Sequence, residues 1–426
     1  MQPKRYGLLG EHLGHSFSKM IHEQLADYTY DLIELSPEEL PRFLTEKNFA
    51  ALNVTIPYKQ AVLPYLDEID PRARRIGAVN TIVNRSGRLC GYNTDFDGVV
   101  ALLRHLGVEP AGRQALILGT GGTSCTVAAA LEHLGAAAVH KASRTGKDGA
   151  LTYEDAAALT GTELIFNTTP CGMYPKTGQQ AISLAPFARL CGVLDAVYNP
   201  LRTALVLDAS ARGIPAEGGL YMLVAQAVRA AEYFLDTAFA PDTTDRMYQA
   251  VLAQKENLVL TGMPGSGKST VGKQLAEQLR RPFVDLDAEI VKRVGCSIPD
   301  YFATHGEAAF REEESAVARE VGAKTGLVIA TGGGTVLRDD NHAALRQNGR
   351  LLFLDRPLQA LEIGNGRPLS ADGDALAKRR AERMPRYLAT ADAVIDGSGS
   401  VADTLQNCMA AWRAFGFAGG AAAQSR

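Results

Sequence analysis

Cysteine is sparse in this sequence: six residues, at positions 90, 125, 171, 191, 296 and 408, are spread along a chain of 426. They form no CxxC pair and no metal-ligand spacing, which argues against a disulfide-stapled secreted scaffold and fits a reduced compartment. An excess of one charge is also missing. The formal net charge is −3, and Lys and Arg form no long run, so neither nucleic acid nor an anionic membrane is the expected partner. No stretch approaches the roughly 18 apolar residues of a membrane span. The N-terminal MQPKRYGLLG reaches His12 after a short apolar run and lacks a signal-peptide core, so a cytoplasmic protein is expected.

With 46% hydrophobic and 21% charged residues, the chain can bury sizeable cores and should divide into about three domains of roughly 150 residues. Short strand-like runs recur at Tyr6–Gly10, Asp31–Leu35, Ala51–Pro57, Ala115–Gly119, Leu164–Asn167, Gly192–Ala196, Leu258–Gly262, Val328–Thr331 and Leu351–Asp355. Longer helix-compatible segments separate them. The alternation predicts α/β layers with mainly parallel sheets. Two strand, glycine-loop, helix units at 115–134 and 258–279 each read as the first strand of a nucleotide-binding sheet, so two nucleotide sites are expected. A helix over Asp245–Lys255 runs almost directly into the next strand, which puts a boundary near residue 255. The Gly- and Ala-rich tail 416–426 has no core-forming pattern.

The first loop, Gly119-Thr-Gly121-Gly122-Thr123-Ser124, ends a strand and opens a helix, as pyrophosphate binding requires. About 20 residues on, where an acidic residue would take a ribose 2′-hydroxyl, stand Ser143, Arg144 and Thr145, of which Arg144 suits a 2′-phosphate and favours NADP(H). Upstream, Gly14-His-Ser16-Phe-Ser18, Asn53-Val-Thr55-Ile-Pro-Tyr-Lys59, Gly77-Ala-Val-Asn80-Thr81 and Asn93-Thr-Asp95 place hydroxyl, amide and ionisable groups among short strands. Together they suggest a site for a small polyhydroxylated ligand, with Lys59 and Asp95 as its acid/base pair. His12 and His15 have no carboxylate or cysteine to complete a ligand set, so no metal is expected there.

These motifs, followed in order by Asn167-Thr-Thr-Pro-Cys-Gly-Met173, Asp195-Ala-Val-Tyr198-Asn-Pro200 and Gly219-Leu-Tyr-Met-Leu-Val-Ala-Gln226, resemble shikimate dehydrogenase over the first 250 residues or so. The resemblance implies that Ser16 and Ser18 hold a substrate carboxylate, and that Thr55, Asn80 and Gln226 bind or place the ring. It implies Lys59 and Asp95 as the catalytic pair for hydride transfer to the C3 carbonyl of 3-dehydroshikimate. NADP(H) would be held by Gly119, Gly121, Gly122, Thr123, Ser143, Arg144, Thr145, Tyr198 and Gly219. Ser143 departs from the family's usual Asn before Arg-Thr.

The second loop, Gly262-Met-Pro-Gly265-Ser266-Gly267-Lys268-Ser269-Thr270, is a full GxxxxGKS between an apolar strand and a helix. Its backbone N–H groups can cradle phosphates, Lys268 can reach the outer oxygens, and Ser269 can ligate Mg²⁺. Asp285 and Asp287 alternate around Leu286, which predicts both carboxylates on one side of a strand end. Arg311 and Glu314 stand three apart on a helix, so the carboxylate can fix the guanidinium. Gly332-Gly333-Gly334 ends a strand where a ligand can approach backbone closely.

With Gly366-Arg367-Pro-Leu and Arg383-Met-Pro-Arg386-Tyr387, this order resembles shikimate kinase over residues 256 to about 412. The resemblance implies that Arg311, Arg383 and the three glycines grip shikimate and that Asp287 orients the accepting hydroxyl. Asp285 would support Mg²⁺, Lys268 and Arg367 would offset charge on the phosphoryl group donated by ATP, and Arg367 would belong to a closing lid. The segment before Arg367 is shorter than the family's lid and lacks its adenine-stacking arginine.

The implied architecture is a discontinuous substrate domain (1–97 and 217–254) around a Rossmann-type NADP domain (98–216), followed by a P-loop kinase domain with a parallel sheet (255–426). The implied enzyme is bifunctional, its first half making the shikimate that its second half phosphorylates, and the resemblance admits a homodimer. Two alternatives stay open: a quinate/shikimate dehydrogenase using NAD joined to another small-molecule kinase, and a pair in which one half is a non-catalytic sensor.

Overall fold

The computed structural model describes residues 5–14, 16–147, 149–361 and 373–416. The chain forms two compact units, Met1–Tyr248 and Gln249–Arg426, with the division inside the helix Thr243–Lys255, a few residues before the expected boundary.

The first unit contains two sheets of six strands. In the first sheet, Tyr6–Gly10 lies between Tyr30–Glu34 and Ala51–Val54, all parallel. The sheet then turns antiparallel through Thr81–Arg85 and Arg88–Tyr92, so this sheet is mixed. The reversal is made by Ser86 and Gly87, both at positive φ (55° and 90°), the backbone a two-residue hairpin turn requires.

The second sheet is parallel throughout, in the order Ala216–Glu217, Gly192–Asp195, Leu164–Asn167, Gln114–Leu118, Ala138–Ser143, Leu151–Thr152. Counted along the chain this is the doubly wound 3-2-1-4-5-6 order, whose crevice opens between the first and fourth strands. Those strands are Gln114–Leu118 and Leu164–Asn167, so the Gly119 loop leaves the sheet at that point.

After the second sheet the chain returns to the first. Helix Leu220–Leu235 buries Leu220, Val224, Ala227 and Ala231, and Phe234 packs on Tyr6 of the first strand at 5.8 Å between ring centres. It crosses helix Thr94–Leu106 closely: a Cβ on Gly98 would lie 2.7 Å from the Met222 carbonyl oxygen. Any larger residue at Gly98 would push the two helices apart.

The second unit has one parallel sheet in the order Phe283–Asp285, Val328–Ala330, Asn257–Thr261, Gly349–Asp355, Ala393–Asp396. Its central strand is fully buried and delivers the second glycine loop to the carboxyl edge. One face is filled by Val259, Ile329, Leu351, Phe353, Leu286, Phe310 and Tyr387.

Candidate active sites

In the first unit, Lys59 Nζ donates to Asp95 Oδ2 at 2.6 Å, and the two side chains are only 15% and 10% exposed. Lys59 follows the strand Ala51–Val54, and its carbonyl accepts the Val79 N–H at 2.8 Å. Asp95 stands in the first turn of Thr94–Leu106, whose N-cap is the Asn93 side chain.

Beside this pair runs a buried amide and hydroxyl network. Asn80 Nδ2 donates to Thr94 Oγ1 at 3.0 Å and to Gln226 Oε1 at 3.4 Å, and Asn80 Oδ1 accepts the Thr94 N–H at 2.7 Å. Three segments, around residues 80, 94 and 226, thus meet in one set of hydrogen-bond donors and acceptors. Ser18 is buried and its N–H donates to Ser16 Oγ at 3.2 Å. Thr55 is held by its N–H on the Leu9 carbonyl at 2.9 Å.

The glycine loop adjoins this network. Asn93 Nδ2 donates to Thr126 Oγ1 at 3.3 Å, which joins the Asp95 turn to helix Gly122–His133. Added Cβ atoms at Gly121 and Gly122 would meet nothing within 4 Å, so both residues border open space that a side chain would fill, whereas Gly119 (φ +114°) has Thr168 Oγ1 2.6 Å from that position. Bare backbone beside a helix N-terminus is a fit for a pyrophosphate.

Ser143 ends the neighbouring strand and accepts the Gly146 N–H at 3.1 Å, while Arg144 and Thr145 are exposed just beyond it. Tyr198 is brought to the Ser16 hydroxyl and against Phe17 (5.2 Å between rings), and burial raises its phenol, with the Ser16 hydrogen bond opposing. This places Tyr198 on the Ser16 loop. Gly219 leaves no room for a side chain, since a Cβ would lie 2.2 Å from the Ala196 carbonyl oxygen.

In the second unit, Lys268 Nζ donates to the Gly262 and Met263 carbonyls at 3.0 and 2.9 Å and approaches Ser266 Oγ at 3.4 Å. Gly265 and Gly267 take φ of +80° and +87°, which Gly adopts without the Cβ penalty, and Thr270 follows in the first turn of Lys268–Leu279. Ser269 Oγ donates to Asp285 Oδ2 at 2.5 Å, a hydroxyl and a carboxylate suited to a hard cation and its water shell. Among the described residues no group of three or more His, Cys, Asp or Glu is arranged to hold a metal by itself. A cation here would rely on nucleotide phosphates as further ligands.

The expectation for Asp285 and Asp287 is corrected. Only Asp285 belongs to the strand end, Phe283–Asp285. Asp285 N-caps helix Leu286–Val294, its Oδ1 accepting the Asp287 and Ala288 N–H groups, and Asp287 lies in the helical first turn. A side chain that completes a helix start breaks the strand alternation on which the expectation rested.

The three glycines are closely approached by protein groups. A Cβ would lie 2.7 Å from Asp287 Oδ1 at Gly332, 2.7 Å from Pro264 Cδ at Gly333, and 2.7 Å from Arg311 Nη1 at Gly334. Each glycine admits one expected element of the site. Arg311 Nη1 donates to the buried Glu314 Oε2 at 2.9 Å, and Glu314 Oε1 accepts from Thr335 at 2.9 Å. Arg383 donates to the Gly333 carbonyl at 3.0 Å, as does the Tyr387 hydroxyl. Arg367 lies outside the described residues.

Residues 8–82 match the family model for the shikimate dehydrogenase substrate binding domain, and residues 264–412 match that for shikimate kinase. A shikimate dehydrogenase (NADP(+)) of Dehalococcoides mccartyi is 38% identical over 278 residues, covering 59% of this chain and 96% of the relative. The chain belongs to the shikimate dehydrogenase family and carries a shikimate kinase domain.

Similar solved structures include the Thermus thermophilus shikimate 5-dehydrogenase complexed with NADP(H) and shikimate (30% identity, TM-score 0.53, 58% of this chain and 99% of that one). A chorismate mutase/shikimate 5-dehydrogenase fusion protein from Clostridium acetobutylicum is also similar (32%, TM-score 0.56, 59% and 98%). In the shikimate dehydrogenase unit, the sequence reading missed Thr94 and Thr168, although both lie within quoted motifs. In the kinase domain it missed Thr335 and Tyr387. Their signal is weak because a Thr or Tyr near a glycine turn is ordinary until the fold aligns it.

Proposed function

We propose that this bifunctional enzyme reduces 3-dehydroshikimate to shikimate in its first unit and phosphorylates shikimate on its 3-hydroxyl in its second. The observation carrying this reading is that each unit sets a glycine loop at the carboxyl end of a parallel sheet beside groups suited to one cyclic hydroxy acid. NADPH supplies the hydride and ATP the phosphoryl group.

Lys59 stabilises or protonates the alkoxide that develops at C3, and Asp95 orients the same oxygen through the ion pair. Asn80 and Gln226 place the ring hydroxyls, with Thr55 beside them, and Ser16 and Ser18 take the carboxylate. Arg144 and Thr145, with Ser143, take the 2′-phosphate of NADPH, and Gly119, Gly121, Gly122 and Thr123 its pyrophosphate. Tyr198 and Gly219 close the nicotinamide end.

In the second unit Asp287 holds the accepting hydroxyl, and Arg311, fixed by Glu314, takes the shikimate carboxylate with Arg383. The Gly262–Thr270 loop holds ATP, Lys268 neutralises the outer phosphates, and Ser269 with Asp285 holds Mg²⁺ through its first or second shell. Arg367 completes charge neutralisation. We assign the substrate domain to 1–97 and 217–254, the NADP domain to 98–216 and the kinase domain to 255–426, in a cytoplasmic protein.

Incubating the chain with 3-dehydroshikimate, NADPH and Mg-ATP while following masses tests the whole reading. Shikimate and then its 3-phosphate should accumulate; accumulation of neither overturns it.

A further inference from the structure

Arg356 was not among the residues singled out by sequence, yet the fold sets it on the P-loop. It follows the strand Gly349–Asp355, which pairs with the P-loop strand Asn257–Thr261. Its Nη1 lies 3.3 Å from where a Gly267 Cβ would stand, so the guanidinium rests directly on the residue before Lys268. Gly397, at the end of the next strand, approaches the Arg356 Cβ at 3.6 Å in the same sense and anchors its N–H on the Asp355 carbonyl at 2.9 Å. Arg356 is thereby held between two glycine turns.

Among the described residues no protein anion accounts for its charge. The adjacent Asp355 carboxylate is taken by Arg380 at 2.9 Å, and the Asp396 carboxylate accepts the Ser398 N–H at 2.9 Å. Among the described residues Arg356 forms no ion pair, and its Nε is shut off from solvent without a hydrogen-bond partner. Burying part of a guanidinium with no anion is unfavourable, so such a group at a phosphate loop suits an anionic ligand. Between Arg356 and Arg367 the sequence contains no other Lys, Arg or His.

Sheet order says which part of the nucleotide it meets. The groups expected to hold the acceptor, on Gly332–Gly334, Asp287 and Arg311, follow the strands Val328–Ala330 and Phe283–Asp285 on one side of the P-loop strand. Arg356 and Gly397 lie on the other side. In-line transfer sends the γ-phosphate toward the acceptor, which leaves the inner phosphates toward Arg356.

We infer that Arg356 is a nucleotide-binding residue of the kinase domain, its guanidinium pairing with the inner phosphates of ATP and of product ADP. The inference rests on the kinase reading, and its test separates the two. In the full-length chain, ADP and adenosine binding are measured by titration calorimetry for wild type, Arg356→Ala and Arg356→Lys. ATP and GTP phosphorylation kinetics, the KM for shikimate and NADPH-dependent reduction are measured alongside.

Arg356→Ala should weaken ADP about 10- to 100-fold, the scale of one charge-assisted contact, with adenosine affinity, shikimate KM and reduction unchanged. Arg356→Lys should restore part of the loss, and kcat/KM for ATP and GTP should fall together. ADP affinity within about twofold of wild type, or equal losses for ADP and adenosine, would overturn the inference. If Arg356→Ala fails to fold, Arg356→Lys decides: ADP binding indistinguishable from wild type, despite lost planar geometry, together with unchanged ATP kinetics, counts against it. Wild type that binds ADP but never phosphorylates shikimate defeats the kinase reading and leaves the ADP comparison to judge Arg356.

Discussion

Lys59 and Asp95, 36 positions apart in sequence, share a 2.6 Å hydrogen-bonded ion pair largely closed to solvent. Their spacing fixes an ammonium at one point beside the Asn80, Thr94 and Gln226 network. Lys59→Ala should therefore lower the kcat for 3-dehydroshikimate reduction by about 10²–10⁴-fold. Phosphorylation of shikimate by the same sample should be unchanged. Retention of the reduction rate would remove Lys59 from the chemistry.

Arg144 is exposed where the strand Ala138–Ser143 ends beside the Gly119 loop. Replacing it with Ala should raise the KM for NADPH about 10- to 100-fold and leave the KM for NADH unaltered. Steady-state kinetics with both nucleotides checks this. Parallel losses for the two would place Arg144 away from the 2′-phosphate.

The Ser269–Asp285 pair makes the two activities separable by chelation. EDTA should abolish phosphoryl transfer and spare reduction in one cuvette. Ser269→Ala should raise the Mg²⁺ concentration for half-maximal phosphorylation about 10-fold or more. Metal-independent phosphorylation would contradict the assignment.

Two buried groups give the first unit opposed pH responses. Burial pushes the Asp195 carboxyl up to about 7 from an ordinary 3.8, against donors from the Val197 N–H, Thr203 and Asn167. Its folded form holds a proton more tightly than its unfolded form, so that contribution to stability is complete below about 3.8 and is lost as pH rises through about 7. His22 is pushed down by burial to about 3 from 6.5, with an Asn53 hydrogen bond opposing. Its contribution is complete above 6.5 and is lost as pH falls toward about 3. Asp195→Asn should gain about 1–3 kcal/mol relative to wild type on going from pH 4 to pH 8. Denaturant midpoints of both proteins at several pH values measure this, and a constant difference would refute it.

The sequence carried the two glycine loops because a strand, a turn at positive φ and a helix start leave residue types that few other structures need. It carried the α/β class for a similar reason. It did not carry the antiparallel half of the first sheet: the Ser86-Gly87 turn is two residues long, and the strands it joins, Thr81-Ile-Val-Asn-Arg85 and Arg88-Leu-Cys-Gly-Tyr92, carry polar residues at their ends and form no long apolar run. Asp287 was misplaced because Asp-Leu-Asp satisfies strand alternation and a helix cap equally well. The glycines 332–334 were legible as a close approach, but only the folded chain shows that Asp287, Pro264 and Arg311 are what approaches. Arg356 was invisible for a plainer reason. A lone arginine after a strand reads as solvated until strand order puts it beside the P-loop.

The return of Leu220–Leu235 to the first strand sets an order of events at the ribosome. The strands of the nucleotide sheet, 114–217, have all emerged before the helix that closes the N-terminal sheet through Phe234 and Tyr6. The dehydrogenase therefore matures from its inserted middle outward. Its earliest residues wait, partly uncovered, for a segment synthesised more than 200 positions later.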